Sequence, residues 1–216
     1  MPKIGTFNLH ASLLPNYRGA APINWAIING ETKTGVTTFF IDDKIDTGAM
    51  ILSNEIEISE NETAGELHDK LMDLGSKTVI ETLQLIEQGN VKTTIQTETA
   101  EIKTAYKLNK ENCKIDWTKS GKEIHNLIRG LSPYPCAWCF FEDNNEEWNV
   151  KIYDAAFIKE KHDKKSGTLI TTKKEMMVAV EDGFMKILSL QFPGKKKMLA
   201  SDVLNGSSFS ETALVK

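Results

Sequence analysis

The stretch NLHASLLPNYRGAAPINWAIING, residues 8–30, places three side chains able to act on a carbonyl group on alternate positions: the Asn8 amide, the His10 imidazole and the Ser12 hydroxyl. The run GTFN leading into it reads as a short strand that delivers Asn8 to its carboxyl end. PINWAIING reads as a short helix, with Pro22 suited to the first turn and Gly30 to the position just past the end. Polar side chains that leave a strand at its carboxyl end in an α/β sheet point into the crevice where such sheets bind ligands. Taken singly, an asparagine here also suits a turn cap, and a histidine an interior polar position. The neighbours favour a pocket. Ser12-Leu13-Leu14-Pro15 forms a loop with an apolar middle that can lie against a flat ring, and Gly19, Ala20 and Ala21 keep the next segment thin enough for backbone to approach a bound molecule.

Working outward, GVTTFFID (35–42) and MILSNEIEI (50–58) are rich in β-branched and aromatic residues and read as strands. The loop between them carries three aspartates and ends in D-T-G. A calcium loop would need the D-x-D-x-D-G spacing and a terminal Glu, which are missing. Asp46, beside Thr47-Gly48, is the carboxylate expected to face the crevice. A long helix follows: Thr63 and Glu66 form a capping box, Leu67, Leu71, Leu74, Leu83 and Ile86 trace an apolar stripe, and Gly89 marks the stop. His68 sits on its polar face and reads as solvated.

The 216 residues suffice for two modest domains, and the charge is divided between them. Residues 1–101 carry a net −8 and residues 102–216 a net +4, so the second half is better suited to a polyanion. Residues 91–108 turn polar and irregular and read as a linker between a first unit, 1–90, and a second, 109–216. In the second unit Ser120 and Glu123 cap a helix that buries Ile124, Leu127, Ile128 and Leu131, with His125 and Arg129 expected at its surface. Strands are expected at 137–141, 148–157, 167–171, 176–181 and 184–191, a spacing that suggests a small oligonucleotide-binding-type (OB-like) barrel. Cys136 and Cys139 form a lone C-x-x-C within a strand-like run, without the second pair that a zinc site requires, and no metal is expected. No apolar run is long enough to span a bilayer and no secretory pattern opens the chain, so a cytoplasmic location without membrane contact is expected.

Taken together, NLHASLLPNYRGAAPINWAIINGE, the DTG 36 residues after the histidine, YKLNKENCKIDW, LIRGLSPYPCAW and LSLQFPGKKKM resemble the methionyl-tRNA formyltransferases over nearly the whole chain. More distantly, they are similar to other folate-dependent formyltransferases. The resemblance implies an α/β fold: part of a Rossmann-like catalytic domain followed by a small C-terminal OB-like β-barrel. It implies transfer of a formyl group from 10-formyltetrahydrofolate to the amino group of methionyl initiator tRNA. It puts the family's catalytic Asn, His and Asp on Asn8, His10 and Asp46, and its folate-contacting loop on Ser12, Leu13, Leu14 and Pro15. Lys195, Lys196 and Lys197, with Arg18 beside the pocket, become the candidates for contact with tRNA.

In that family the first strands of the catalytic domain precede this segment. A sheet beginning at its catalytic strand has an unpaired edge, and the resulting expectation is self-association and weak turnover. Two alternatives stand beside this reading: a sugar-nucleotide N-formyltransferase, and a truncated chain with an RNA-binding or structural role alone.

Overall fold

Strand alternation and two capping boxes account for most of the observed architecture. The computed structural model describes residues 2, 4–97 and 101–216, and the chain divides into two compact units, 1–108 and 109–216.

In the first unit the opening strand runs two residues later than GTFN, so Asn8 sits within it and His10, not Asn8, is at its carboxyl end. It is β1, Phe7–His10, and it pairs antiparallel with β3, Lys33–Phe40, so that Phe7 faces Phe40 and His10 faces Thr37. β3 pairs in turn with β4, Met50–Glu57, giving the order β1-β3-β4. Because side chains alternate, the sheet has two different faces. Leu9, Val36 and Thr38 point to the helix α2, Ala64–Glu87, whose Gly75 lets Leu9 and Val36 come close. Asn8, His10, Gly35, Thr37 and Ser53 occupy the opposite face, which carries the 12–15 loop.

The capping box expected at Thr63 is present, with the Glu66 backbone N–H donating to the Thr63 hydroxyl at 3.3 Å and the Thr63 N–H donating to the Glu66 carboxylate at 2.8 Å. The expected apolar stripe of α2 holds only through its first half. Leu67 and Leu71 are buried, but beyond them the buried positions are Gly75, Thr78 and Thr82, while Leu83 is exposed. The reason is chemical: this half of the helix meets polar positions of the sheet. Thr82 Oγ1 shares a hydrogen bond with Thr38 Oγ1 at 2.8 Å, and Thr78 Oγ1 accepts from Asn54 Nδ2 at 2.9 Å.

The segment 91–108 is not a free connector. Thr94 exchanges backbone hydrogen bonds with Met50 at 2.9 Å. A two-residue strand, β5 (Thr104–Ala105), pairs parallel with β2 (Arg18–Gly19), and Ala105 joins the core formed by Tyr17, Ala26, Ile27, Val36 and Leu67. Its polar composition hid this because the hydrogen-bonding partners lie far away in sequence. Residues 98–100 of that segment lie outside the described residues. Between β2 and β3 runs α1, Pro22–Ile28, closed by Gly30 at φ +73°.

The second unit begins with α3, Gly121–Leu131, capped by Ser120 and Glu123 as expected. The strands β6 (Ala137–Asp143), β7 (Glu146–Lys159), β8 (Leu169–Thr171), β9 (Met176–Val180) and β10 (Gly183–Gln191) follow. After them come β11 (Met198–Leu199), α4 (Ala200–Gly206) and β12 (Leu214–Val215). The sheet order β12-β6-β7-β10-β9-β8 nearly closes on itself, since Leu169 N–H donates to the Ala213 carbonyl at 3.1 Å and Val215 N–H to that of Gly167 at 2.8 Å. This is the small barrel expected from the strand spacing. Arg129, expected at the surface, is buried: its Nε donates to Asn126 Oδ1 at 2.9 Å. A helix lying on a barrel wall buries a broad arc, and α3 is seated so closely that Gly121 lies directly against Phe157.

Two glycines of the first unit separate backbone constraint from side-chain packing. A Cβ on Gly48 would fall 1.6 Å from the Phe40 carbonyl oxygen, whereas one on Gly75 would meet only the tip of Leu9, at 2.7 Å. Gly48→Ala is therefore expected to destabilise the first unit by about 2 kcal/mol or more. Gly75→Ala is expected to be nearly neutral, because the helix gains about 1 kcal/mol of propensity against the displacement of Leu9. Hydrogen exchange of β3 and α2 amides in the two variants checks both.

Candidate active site

Asn8 and His10, two apart on β1, share one face of the sheet. The Asn8 carbonyl oxygen accepts the Leu9 N–H at 3.0 Å, which fixes the amide plane. Its Nδ2 has no protein partner among the described residues, and the side chain is exposed. His10 is the opposite case, 7% exposed, with one ring nitrogen hydrogen-bonded and the other facing a carboxylate. Nε2 donates to the Tyr17 carbonyl at 2.8 Å, and Nδ1 faces Asp46 Oδ2 at 3.6 Å. A carbonyl oxygen only accepts, so the proton of that bond lies on Nε2, and Nδ1 is the ring nitrogen left facing the carboxylate.

Asp46 reaches His10 through an unusual backbone. Its φ is +55°, in the left-handed region, and the following Gly48 lies against β3. Asp46 Oδ2 also accepts the Gly19 N–H at 3.0 Å, so one oxygen joins the D-T-G loop to the strand after the 12–15 loop. Gly19 itself is obligatory: its φ is +121°, and a Cβ there would fall 2.4 Å from the Ala105 carbonyl oxygen.

Four residues that sequence reasoning passed over support this pair. Tyr17, at φ +61°, presents its carbonyl to His10 while its hydroxyl donates to Glu31 Oε1 at 2.5 Å. Glu31 also receives the Lys103 ammonium at 2.5 Å, and Tyr17 N–H donates to the Lys103 carbonyl at 2.6 Å. Burial, reinforced by the hydrogen bond to Glu31, pushes the Tyr17 phenol well above its ordinary value. For Glu31 burial acts the other way from its partners, and the hydrogen bonds from Lys103 and Tyr17 prevail, holding its carboxyl below the usual range. Gln96 is the fourth, buried beneath the D-T-G loop. Tyr17 and Glu31 leave no periodic signal, and Gln96 and Lys103 lie in a stretch whose composition reads as linker; only the obligatory Gly19 among their neighbours carries a visible sequence cue.

The 12–15 loop is pinned to this face by Thr37. Its hydroxyl donates to the Ser12 carbonyl at 2.7 Å and accepts from Leu14 N–H at 3.2 Å and Ser53 Oγ at 3.1 Å. Ser12 and Leu14 are buried, the Ser12 hydroxyl donating to the Asn16 carbonyl at 2.6 Å, while Leu13 and Pro15 are half-buried. Arg18 turns to Gln96, with Nε and Nη2 donating to its Oε1 at 3.0 and 2.8 Å.

The remaining sequence candidates belong to the second unit. Lys195, Lys196 and Lys197 are exposed on the turn between β10 and β11, and the Lys197 ammonium sits 4.9 Å from the centre of the Tyr153 ring. Cys136, just before β6, and Cys139 within it are both buried, and burial pushes the Cys136 thiol up to about 12 and that of Cys139 higher still. Among the described residues no group of three or more His, Cys, Asp or Glu is placed to hold a metal ion, and no helix is long and apolar enough to cross a membrane.

Two family models match the chain, Formyl transferase over residues 1–83 and Formyl transferase, C-terminal domain, over residues 107–208. The methionyl-tRNA formyltransferase of Flavobacterium johnsoniae is 69% identical over 215 residues, covering 100% of this chain and 68% of its own length. That of Bacteroides fragilis is 47% identical over 221 residues, with the same coverage. Among solved structures, an N-formyltransferase from Helicobacter canadensis in complex with folinic acid and dTDP-3-aminofucose superposes with a TM-score of 0.67 at 26% identity. The superposition covers 89% of this chain and 66% of that one.

The Glu31 network has a pH signature. A carboxyl lowered in the folded state contributes stability above its ordinary value of 4.5 and loses it as pH falls toward the lowered value. Exchange protection of the Tyr17 and Gly19 amides is expected to decline on acidification through that window, and Glu31→Gln to flatten the decline.

Proposed function

This chain belongs to the methionyl-tRNA formyltransferases, which move a formyl group from 10-formyltetrahydrofolate to the amino group of methionyl initiator tRNA, and we propose that Asn8, His10 and Asp46 perform the transfer. The observation that carries this assignment is the His10–Asp46 pair at 3.6 Å on the sheet face that also presents the Asn8 amide.

As the amine attacks the formyl carbon, negative charge grows on the formyl oxygen. The outward Nδ2 of Asn8 is the donor suited to receive it, and its amide plane is already fixed, so little reorganisation accompanies the reaction. His10 has its Nε2 engaged by Tyr17, so the nitrogen left for chemistry is Nδ1, which faces Asp46 and can exchange a proton with it. Asp46 Oδ1, which makes no protein hydrogen bond among the described residues, is the oxygen left to take the proton of the attacking amine, directly or through one water. The departing nitrogen is protonated in return, so no net proton is left on the protein.

The 12–15 loop fits a flat ring system through the half-buried Leu13 and Pro15, while Ser12 and Leu14 anchor the loop from beneath. The lysines of the β10–β11 turn suit phosphate contact, because three exposed ammonium groups lie on one short turn. A sugar-nucleotide amine as acceptor has less support, since the solved relative holding such a ligand is 26% identical against 69% for the tRNA enzyme.

Asn8→Ala is expected to lower kcat about 10²- to 10³-fold with little change in KM for the formyl donor, and Asp46→Asn to lower it comparably. A formylation assay with charged initiator tRNA checks both, and wild-type rates in either variant overturn the assignment. Neutralising Lys195, Lys196 and Lys197 together is expected to reduce the slope of log K against log salt for tRNA binding by about three.

A further inference from the structure

Gln96 lies in the polar stretch that composition assigns to a linker, yet it is 7% exposed and uses its whole hydrogen-bonding capacity. Nε2 donates to the Asp46 carbonyl at 2.9 Å and to the Gly48 carbonyl at 2.8 Å. Oε1 accepts from Arg18 Nε at 3.0 Å and from Nη2 at 2.8 Å. A buried side-chain amide with two donors and one doubly occupied acceptor is a rigid connector, because any displacement leaves several buried groups unmatched at once.

What it connects matters more than how tightly. Arg18 is bonded in sequence to Gly19, whose N–H donates to Asp46 Oδ2. The Gln96 amide therefore closes a ring that runs from its own Nε2 to the Asp46 backbone, out along that side chain to Oδ2, across to Gly19, and back through the Arg18 guanidinium to Oε1. The two sides of the Gly19–Asp46 hydrogen bond are gripped from behind by the same side chain. Asp46 holds φ +55°, where an aspartate does not rest by intrinsic preference, and the bonds to the Asp46 and Gly48 carbonyls fix the peptide group before Thr47 and the one after Gly48. The direction in which the carboxylate leaves the loop, and hence its 3.6 Å approach to His10, follows from that fixed backbone.

We infer that Gln96, held by Arg18, is the positioning residue that sets the Asp46 carboxylate against His10 and Gly19. The inference rests on Asp46 having the catalytic part proposed above. It also gives Arg18 an inward structural duty.

Gln96→Glu tests it, because the acid keeps an acceptor for Arg18 while losing both donors to the D-T-G loop. The full chain carrying this change is expected to lose about ten- to hundredfold in kcat with KM for both substrates within about twofold of wild type, the signature of a misplaced group. Two readouts are independent of turnover. The Gly19 amide, which reports its bond to Asp46, is expected to exchange about tenfold faster, and the His10 ring ¹⁵N signals at fixed pH are expected to shift as Asp46 moves. Unchanged Gly19 exchange with unchanged His10 signals overturns the inference, whatever the rate. If Asp46→Asn retains full transfer, the catalytic reading of Asp46 fails, and the Gly19 and His10 readouts in Gln96→Glu still decide whether Gln96 holds the loop. Should Gln96→Glu not fold, Arg18→Lys, which keeps the charge and loses the two-point grip, is expected to give the same shifts at smaller size, and wild-type signals there overturn the inference.

Discussion

One carboxylate oxygen holds the site together. Asp46 Oδ2 receives the Gly19 N–H and faces His10 Nδ1, so the D-T-G loop, the strand β2 and the strand β1 meet at a single atom. That meeting is possible only because Gly19 has no side chain, since the Ala105 carbonyl occupies the place a Cβ would take. The need for a glycine, the left-handed turn at Asp46 and the burial of β5 are thus three consequences of one convergence. Remove the parallel pairing of β2 with β5, and the segment bearing the Gly19 N–H has no fixed position from which to meet the carboxylate.

The division of labour in the sheet follows from β3. Its alternate residues serve two clients: Val36 and Thr38 receive α2, while Gly35 and Thr37 receive the 12–15 loop. Thr37 makes three hydrogen bonds through one buried hydroxyl, a strong reason for a β-branched alcohol rather than a valine there, because valine would leave the Leu14 N–H and the Ser12 carbonyl without that partner. On the helix side the polar contacts between Thr38 and Thr82, and between Asn54 and Thr78, replace part of the leucine stripe. They fix the rotation of α2 more narrowly than apolar contact would, since hydrogen bonds are directional and hydrophobic contact is not.

What the sequence showed, and what it hid, divides along the same lines. Local signals were readable: the capping boxes at Thr63 and Ser120, Pro22 and Gly30 around α1, and the alternation that puts Asn8 and His10 on one face depend on residues a few positions apart. The strand spacing of the second unit was likewise enough to suggest a barrel. Asp46 stood out because a third aspartate before a glycine exceeds what a turn requires. Gln96 and Lys103 were hidden, since nothing nearby in the chain explains a buried glutamine among threonines and glutamates; its partners are Arg18, 78 residues earlier, and Asp46 and Gly48. The stripe of α2 was misread in its second half for a related reason, because a threonine that bonds across to a strand looks, in the sequence of the helix alone, like a surface residue.

The segment 91–108 changes the physical description of the site. Both acceptors that grip His10 are held from that segment: Gln96 fixes the backbone of Asp46, and Lys103 fixes Tyr17 through its carbonyl and through Glu31. A histidine whose two nitrogens face oriented acceptors has its ring fixed in orientation before any substrate arrives. In a largely buried setting such fixed dipoles act more strongly than they would in water. The exposed Asn8 amide stands apart, as the proposed donor to the reacting oxygen, against a background already set. On this view the polar stretch is best understood as the rear wall of the site, and its charged and amide side chains are there because an apolar wall could orient neither Asp46 nor the Tyr17 carbonyl.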